Sequence, residues 1–326
     1  GVLAVLTLLH YSGPPLSRYL GETFKPSEPP QDRVLIPVAN PATAKGLLHL
    51  ASDIAQASED TYLCLLNIVP TISGFSGETR AMMQRTQSDP KAFLEHLADY
   101  AREKEENLAL YTKLRSAPKV SKGLLDEIKR SRNVKLVIAG WPGPQRAGKL
   151  ADNPVKVLLQ QAHTNIAVLL NRGLDDRGIS RILVPVGGGL HSRMAVRLAC
   201  ELAEVEDARV TALRVLTEES EEGEAIEELE DKALLLAEIV EEVLGSVPET
   251  FSFRAVHAGS VPEGVLTEAA RQPYDLIIMG ASGEWLSDTR LFGSVSDWIA
   301  DRAPCSVLFC RRYEPVGIAW LRRQVK

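Results

Sequence analysis

Cysteine is scarce in this chain. Only Cys64, Cys200, Cys305 and Cys310 occur among 326 residues, and no two form a CxxC pair. That excludes a disulfide framework and a cysteine-based zinc site. Most of the four lie inside apolar runs, where buried free thiols in a reducing compartment are expected. A basic surplus is missing as well: 37 Lys plus Arg face 43 Asp plus Glu, a formal net charge of −6. Proteins that hold nucleic acid usually carry the opposite balance, so no nucleic-acid partner is expected. The histidines (His10, His49, His96, His163, His191 and His257) show no HxxxH or other metal spacing, so no metal centre is expected. No Ser-His-Asp arrangement follows from spacing either, and catalytic residues are expected to be absent. His257, one residue beyond the run "RAV", reads as a surface or packed histidine.

The N-terminus lacks a Met, a basic start and a small-residue cleavage site, which argues against a signal peptide. Its run "GVLAVLTLL" (1–9) is shorter than the roughly 20 apolar residues that span a bilayer. It reads as the last turns of a membrane helix or as a short helix packed on the protein's own surface. The proline-rich "YSGPPLSRYLGETFKPSEPPQD" that follows is a linker.

The chain as a whole is globular in composition, 45% hydrophobic and 25% charged, and long enough for two domains. Beyond the linker it is one unit written twice. "RVLIPV" (33–38) returns as "RILVPV" (181–186), "ASDIA" (51–55) as "ACELA" (199–203), and "KLVIAG" (135–140) as "DLIIMG" (275–280). "IAVLL" (166–170) corresponds to "SVLFC" (306–310). In the first copy, strands are predicted near 33–38, 62–69, 108–114, 134–139 and 166–170, with a mobile loop over 70–90 and a helix from Asp89-Pro90. In the second copy, short apolar runs suit buried parallel strands. "SRMAVRLACELAEV" turns Met194, Leu198, Leu202 and Val205 to one helical face. A long acidic segment over 218–245 repeats apolar residues at three- and four-residue steps, its charge forming a solvated face. "SVPEGVLTEAARQ" opens a helix with a Ser cap and an early Pro. The alternation predicts an α/β fold of doubly wound, mostly parallel sheet.

Ligands of such sheets sit beyond the carboxyl ends of the strands. There the second copy reads "GASGEWLSDTRLFGSVSDW" (280–298), with Gly280-x2-Gly283-x9-Gly293-Ser294 spacing. This resembles the nucleotide-binding motif of the universal stress protein family. "VHAGSVPEGVLTEAA" and "FGSVSDWIADRAPCSVLFC" resemble that family's third strand and helix and its last helix and strand. The resemblance implies two tandem five-stranded domains, 33–172 and 173–312, forming a pseudo-dimer within one chain, because fifth strands in the family commonly pair across a dimer. It implies ATP or AMP, with Mg²⁺, as ligand of the second domain. Gly280 and Gly283 would let the backbone approach ribose and phosphate, and Gly293, Ser294 and Ser296 would hold the anion at a helix start. The alternative is structural: a strand end, a turn and a helix cap.

Two departures stand out. ATP-binding members usually carry an Asp at the end of the first strand, where this chain has Gly187, and Ala39 or Asn40 in the first copy. The adenine contact is therefore in question. In the first copy Asn153-Pro154 replaces Gly-Ser, and proline removes an N–H donor, so no phosphate site is expected there. "GGGLHS" (187–192) has neither GxGxxG nor P-loop spacing and reads as a tight strand-to-helix turn.

The paired copies also resemble the modules fused behind the membrane domain of amino acid–polyamine–cation superfamily transporters, such as amino acid permeases and prokaryotic cation-chloride cotransporters. That implies a non-catalytic regulatory or assembly domain on the cytoplasmic side of the membrane. Its partners would be the parent's membrane domain and a second copy in a homodimer. A soluble ATP- or AMP-binding stress protein is the alternative. The tail (313–326), with Arg311 and Arg312 just before it and Arg322, Arg323 and Lys326 within it, surrounds Trp320 and Leu321 with positive charge. It suits an anionic membrane surface or an ordinary solvated chain end.

Overall fold

The structure, a computed structural model, describes residues 32–58, 61–71, 89–105, 108–131, 133–143, 153–174, 178–217, 226–281 and 291–315. Residues 1–31 separate from 32–326 as their own unit. The apolar start, the linker, residues 72–88 of the loop predicted over 70–90, Gly283 and the tail from 316 onward lie outside the described residues. Among the described residues no helix is long and apolar enough to cross a membrane.

Ten strands form in chain order. The first half gives β1 (Asp32–Pro37), β2 (Thr61–Pro70), β3 (Leu110–Ala117), β4 (Val134–Gly140) and β5 (Asn165–Leu170). The second gives β6 (Arg181–Pro185), β7 (Arg209–Leu216), β8 (Phe251–His257), β9 (Leu276–Gly280) and β10 (Ser306–Arg311). Helices fill the crossovers: α1 (Pro41–Gln56), α2 (Pro90–Lys104), α3 (Val120–Arg130) and α4 (Pro154–Gln161), then α5 (Leu190–Glu206), α6 (Ile226–Leu244), α7 (Val261–Arg271) and α8 (Ser294–Arg302). The predicted cap Ser260 accepts the Glu263 amide at 3.4 Å, and Asp89, where a helix was predicted to begin, accepts the Lys91 amide at 3.0 Å.

The two predicted sheets are joined. The strand order is β3-β2-β1-β4-β5-β10-β9-β6-β7-β8 in a single ten-stranded sheet. Its strands pair in parallel except at the centre, where β5 and β10 run antiparallel with Leu170 opposite Val307 and Ile166 opposite Arg311. The sequence explains the junction. "NIAVLL" and "SVLFCR" are almost wholly buried. Left as edges they would expose a row of unpaired amides and carbonyls beside apolar side chains. Pairing the two fifth strands removes both edges. Alternation then sorts the core into two layers: Val34 and Ile36 face one side of the sheet with α1, α2, α5 and α6, while Leu35 faces the other with α3, α4, α7 and α8. All four cysteines are buried free thiols, and burial pushes Cys200 and Cys305 up to about 12.

Two charged devices recur in both halves. Glu127 of α3 and Glu268 of α7 are each only 2% exposed. Glu127 takes Lys113 of β3 as partner, together with Arg115 at 3.2 Å. Glu268 takes Arg254 of β8 at 2.8 Å. Each buried carboxylate thus has its own cation from the sheet's edge strand, as a buried charge requires. The second device crosses the junction. Arg311 donates to the carbonyls of Leu159 at 2.8 Å, Ala162 at 2.6 Å and Thr164 at 2.8 Å, closing the C-terminal end of α4. In return, Arg172 donates to the carbonyls of Ala300 at 2.7 Å, Asp301 at 3.2 Å and Ala303, closing the end of α8. A cation at a helix C-terminus satisfies both its free carbonyls and its dipole. This corrects the sequence reading of Arg311: it is 6% exposed and belongs to the junction, not to a basic surface segment.

Candidate functional site

A cavity of about 500 Å³ opens in the second half where β6, β7 and β9 end and α5 and α8 begin. Its wall includes Gly187, His191, Ser192, Arg214, Thr217 and Ser296. "GGGLHS" makes the tight turn the sequence predicted, with Gly188 at φ +79°, a left-handed conformation that costs glycine nothing. The turn also lines the cavity, which the spacing rules did not show. A Cβ at Gly187 would meet nothing within 4 Å, so the place of the family's Asp is open space.

Arg214 supplies positive charge. It leaves β7 half-buried and donates from Nη1 to the Val186 carbonyl at 3.2 Å, which holds the guanidinium at the cavity wall. Two helix starts lie beside it. Gly189 precedes α5 and Gly293 precedes α8, and neither provides a side-chain cap. Helix starts of this kind favour an anion through their N–H groups and dipole. His191 accepts the Arg312 amide on Nδ1 at 3.0 Å. Burial, and then the charge of Arg311, pull its pKa down to about 4, so the ring is neutral near pH 7. A neutral imidazole leaves Arg214 as the charged group of this wall among the described residues.

The predicted site residues divide. Ser296 lines the cavity and is 1% exposed. Gly293 stands at φ +95° as the residue before α8, and exposed Ser294 opens that helix. Gly280 also borders the cavity, but its missing side chain serves the fold. A Cβ there would lie 2.6 Å from the Ser192 amide nitrogen and 2.8 Å from the His191 carbonyl carbon. The backbone of α5, and not a ligand, fills that space. Within the loop, the Leu291 and Phe292 amides both donate to the Asp297 carboxylate, each at 3.2 Å, and so fasten the chain to α8. Gly283 lies outside the described residues. His257 ends β8, exposed, away from the cavity wall.

The corresponding place in the first half differs. Its cavity is about 320 Å³ and mainly apolar, with Leu47, Ile68, Leu124, Trp141 and Pro154 in the wall. Val38 and Val186 hold the same backbone position, donating to Leu66 at 2.9 Å and to Leu213 at 2.8 Å. Asn67 therefore stands where Arg214 stands, and donates to the Val38 carbonyl at 2.8 Å. Asn153 accepts the Val155 amide at 2.9 Å, and Pro154 has no N–H. Trp141, in the place of Ala281, turns into the shared core, its ring centroid 5.2 Å from that of Phe292 and 6.0 Å from that of Phe309.

Arg214 was missed at the sequence level. The available signal was an arginine near the carboxyl end of "RVTALRVL", a mostly apolar strand whose end should meet ligand.

Residues 178–311 match the model of the universal stress protein family. No curated protein matches the chain. The fold is similar to a universal stress protein from Archaeoglobus fulgidus DSM 4304 (15% identity, TM-score 0.59, 87% of this chain and 97% of that one). It is also similar to a putative universal stress protein from Pseudomonas aeruginosa UCBPP-PA14 (16%, 0.54, 90% and 97%). A third similar structure is the cytoplasmic domain of a prokaryotic cation chloride cotransporter (12%, 0.53, 89% and 99%).

Proposed function

We propose that this chain, whose residues 178–311 are a universal stress protein domain and whose first half repeats the fold, is a non-catalytic regulatory module that takes a nucleotide in its second half. The observation that carries the reading is the asymmetry of the two strand-end cavities. The second has Arg214 and two helix starts without side-chain caps around about 500 Å³, a volume within the usual range for small-molecule sites. Phosphate would meet Arg214 and the starts of α5 and α8, near Ser294 and Ser296. The base would lie toward Gly187. ATP, with Mg²⁺, and AMP are the ligands to try first.

The regulated partner in this reading is a membrane transport domain. Its support is the resemblance of the paired copies to transporter-fused modules and the shared fold with a cotransporter's cytoplasmic domain. The module would stand on the cytoplasmic side and form a homodimer. In this reading the two domains are 33–172 and 173–312. A ligand that favours one arrangement of the module would shift the partner's state through differential affinity.

Calorimetric titration of the full chain with ATP and AMP, each with and without Mg²⁺, tests the nucleotide. Saturable binding at one site per chain is expected; absence of heat at concentrations suited to millimolar affinity removes it. Deleting residues 33–326 from a transporter that carries them should change transport, trafficking or oligomeric state. An unchanged transporter removes the regulatory role, and sedimentation showing monomer at every concentration removes the homodimer.

A further inference from the structure

α1 of the first half and α5 of the second pack against each other on one side of the sheet, and three ligand-type side chains converge there. His49 and Asp53 lie four residues apart on α1, hence on one helical face. Glu206 is the last residue of α5. His49 Nε2 is 2.7 Å from Glu206 Oε1 and 3.4 Å from Asp53 Oδ2. One ligand atom from each residue lies within 4.8 Å of the other two.

The hydrogen bonding here is incomplete. Asp53 is 7% exposed, and its Oδ2 is buried without a hydrogen-bond partner. One N–H on His49 Nε2 serves Glu206 at hydrogen-bond distance and cannot serve Asp53 as well. Burial first, then the charge of Glu206, push the Asp53 carboxyl up to about 8. Asp53 and Glu206 thus face one donor in a largely buried space, an arrangement that is costly unless a shared proton or a cation joins them.

We propose that His49, Asp53 and Glu206 form a zinc-class divalent cation site that clasps the first half of the chain to the second. The donor set of one imidazole and two carboxylates suits zinc, with water in the fourth position. Around a tetrahedral ion with bonds of 2.0–2.2 Å, neighbouring ligand atoms stand about 3.3–3.5 Å apart. The His49–Asp53 separation already has that value, and the His49–Glu206 contact would open by about 0.6 Å on loading. Glu206 is also oriented from outside: its Oε2 accepts the Ile179 amide at 3.0 Å, as a carboxylate ligand's second oxygen commonly does.

The test uses the full chain, stripped with chelator, dialysed against Zn²⁺ and analysed for bound metal, with thermal melts before and after loading. One zinc per chain and a raised Tm are expected. Asp53→Asn, nearly the same size and relieved of charge, and His49→Gln should each weaken zinc binding by more than tenfold while still folding without metal. Arg214→Ala should keep its zinc, which separates this site from the nucleotide cavity. Absence of zinc from the parent chain overturns the proposal, as does zinc retained at parental affinity by both variants. A parent chain that binds no zinc, with Asp53→Asn more stable than it, would assign the pair a shared proton instead.

Discussion

The two strand-end cavities occupy equivalent places in one repeated fold and have opposite chemistry. In the first half, Asn153 takes the Val155 amide, Pro154 has no N–H, and Asn67 stands in the position of Arg214. In the second half, the helix starts carry glycine without a side-chain cap, and Arg214 faces the cavity. A fold can therefore be copied intact while the chemistry at its strand ends diverges. What distinguishes the copies is how each helix start is capped and which side chain reaches the same carbonyl.

The largest expected difference lies at the paired glycines. A Cβ on Gly280 would press on the backbone of α5 at 2.6 and 2.8 Å, whereas at Gly140 it would meet the end of the Leu47 side chain at 3.0 Å. A flexible side chain can move; a helix start must shift as a whole. Gly280→Ala should cost about 3 kcal/mol and Gly140→Ala about 1 kcal/mol or less, by the cost of overpacking. Urea melts of the two variants measure this, and equal losses would mean that α5 is not seated on Gly280.

His191 separates the halves by pH. Its folded pKa is about 4, against about 6.5 for an unfolded histidine. As pH falls below about 6.5, the unfolded chain takes up the proton first, so stability is lost down to pH 4 and is fully present above 6.5. At pH 5 the loss is about 2 kcal/mol. Thr43, which lies beside Gly140 in the first half, has no such proton to take. The difference in stability between pH 7.5 and pH 5 should shrink in His191→Gln; an unchanged difference would assign the pH dependence elsewhere.

Arg214 tests the site itself. Arg214→Ala should weaken ATP and AMP binding about tenfold, or about 1.4 kcal/mol, the usual worth of one charge-assisted contact. Asn67→Ala should leave affinity unchanged and cost about 1 kcal/mol of stability, because it orphans the Val38 carbonyl. Nucleotide titrations of both variants decide, and equal effects would place the ligand outside the second cavity.

Most of the fold could be read from the sequence because repeated short apolar runs leave few arrangements open. The strand at 209–216 and the caps Asp89 and Ser260 follow directly from local pattern. The continuous sheet was readable only through the family resemblance, in which fifth strands pair across a dimer; the burial of β5 and β10 is its physical reason. The site was less legible. Gly280 has the same letter whether a ligand or a helix takes the space beside it. Arg214 is one of two arginines in an alternating strand. His49 and Asp53 stand one helical turn apart, but Glu206 lies on a distant helix that only the fold brings near.

The smallest expected effect concerns the base end of the second cavity. The family resemblance implies an Asp near the adenine, and this chain has Gly187 there, with open space where a Cβ would go. The backbone at this position is outside the left-handed region that favours glycine, so an Asp can be placed without strain. Gly187→Asp should then gain one hydrogen bond to the base, raising affinity for ATP and AMP about fivefold, or about 1 kcal/mol. Inorganic phosphate and pyrophosphate, which have no base, should gain nothing and lose a little through like-charge repulsion. If all four ligands weaken together, phosphate lies against Gly187 and the orientation proposed for the nucleotide is reversed.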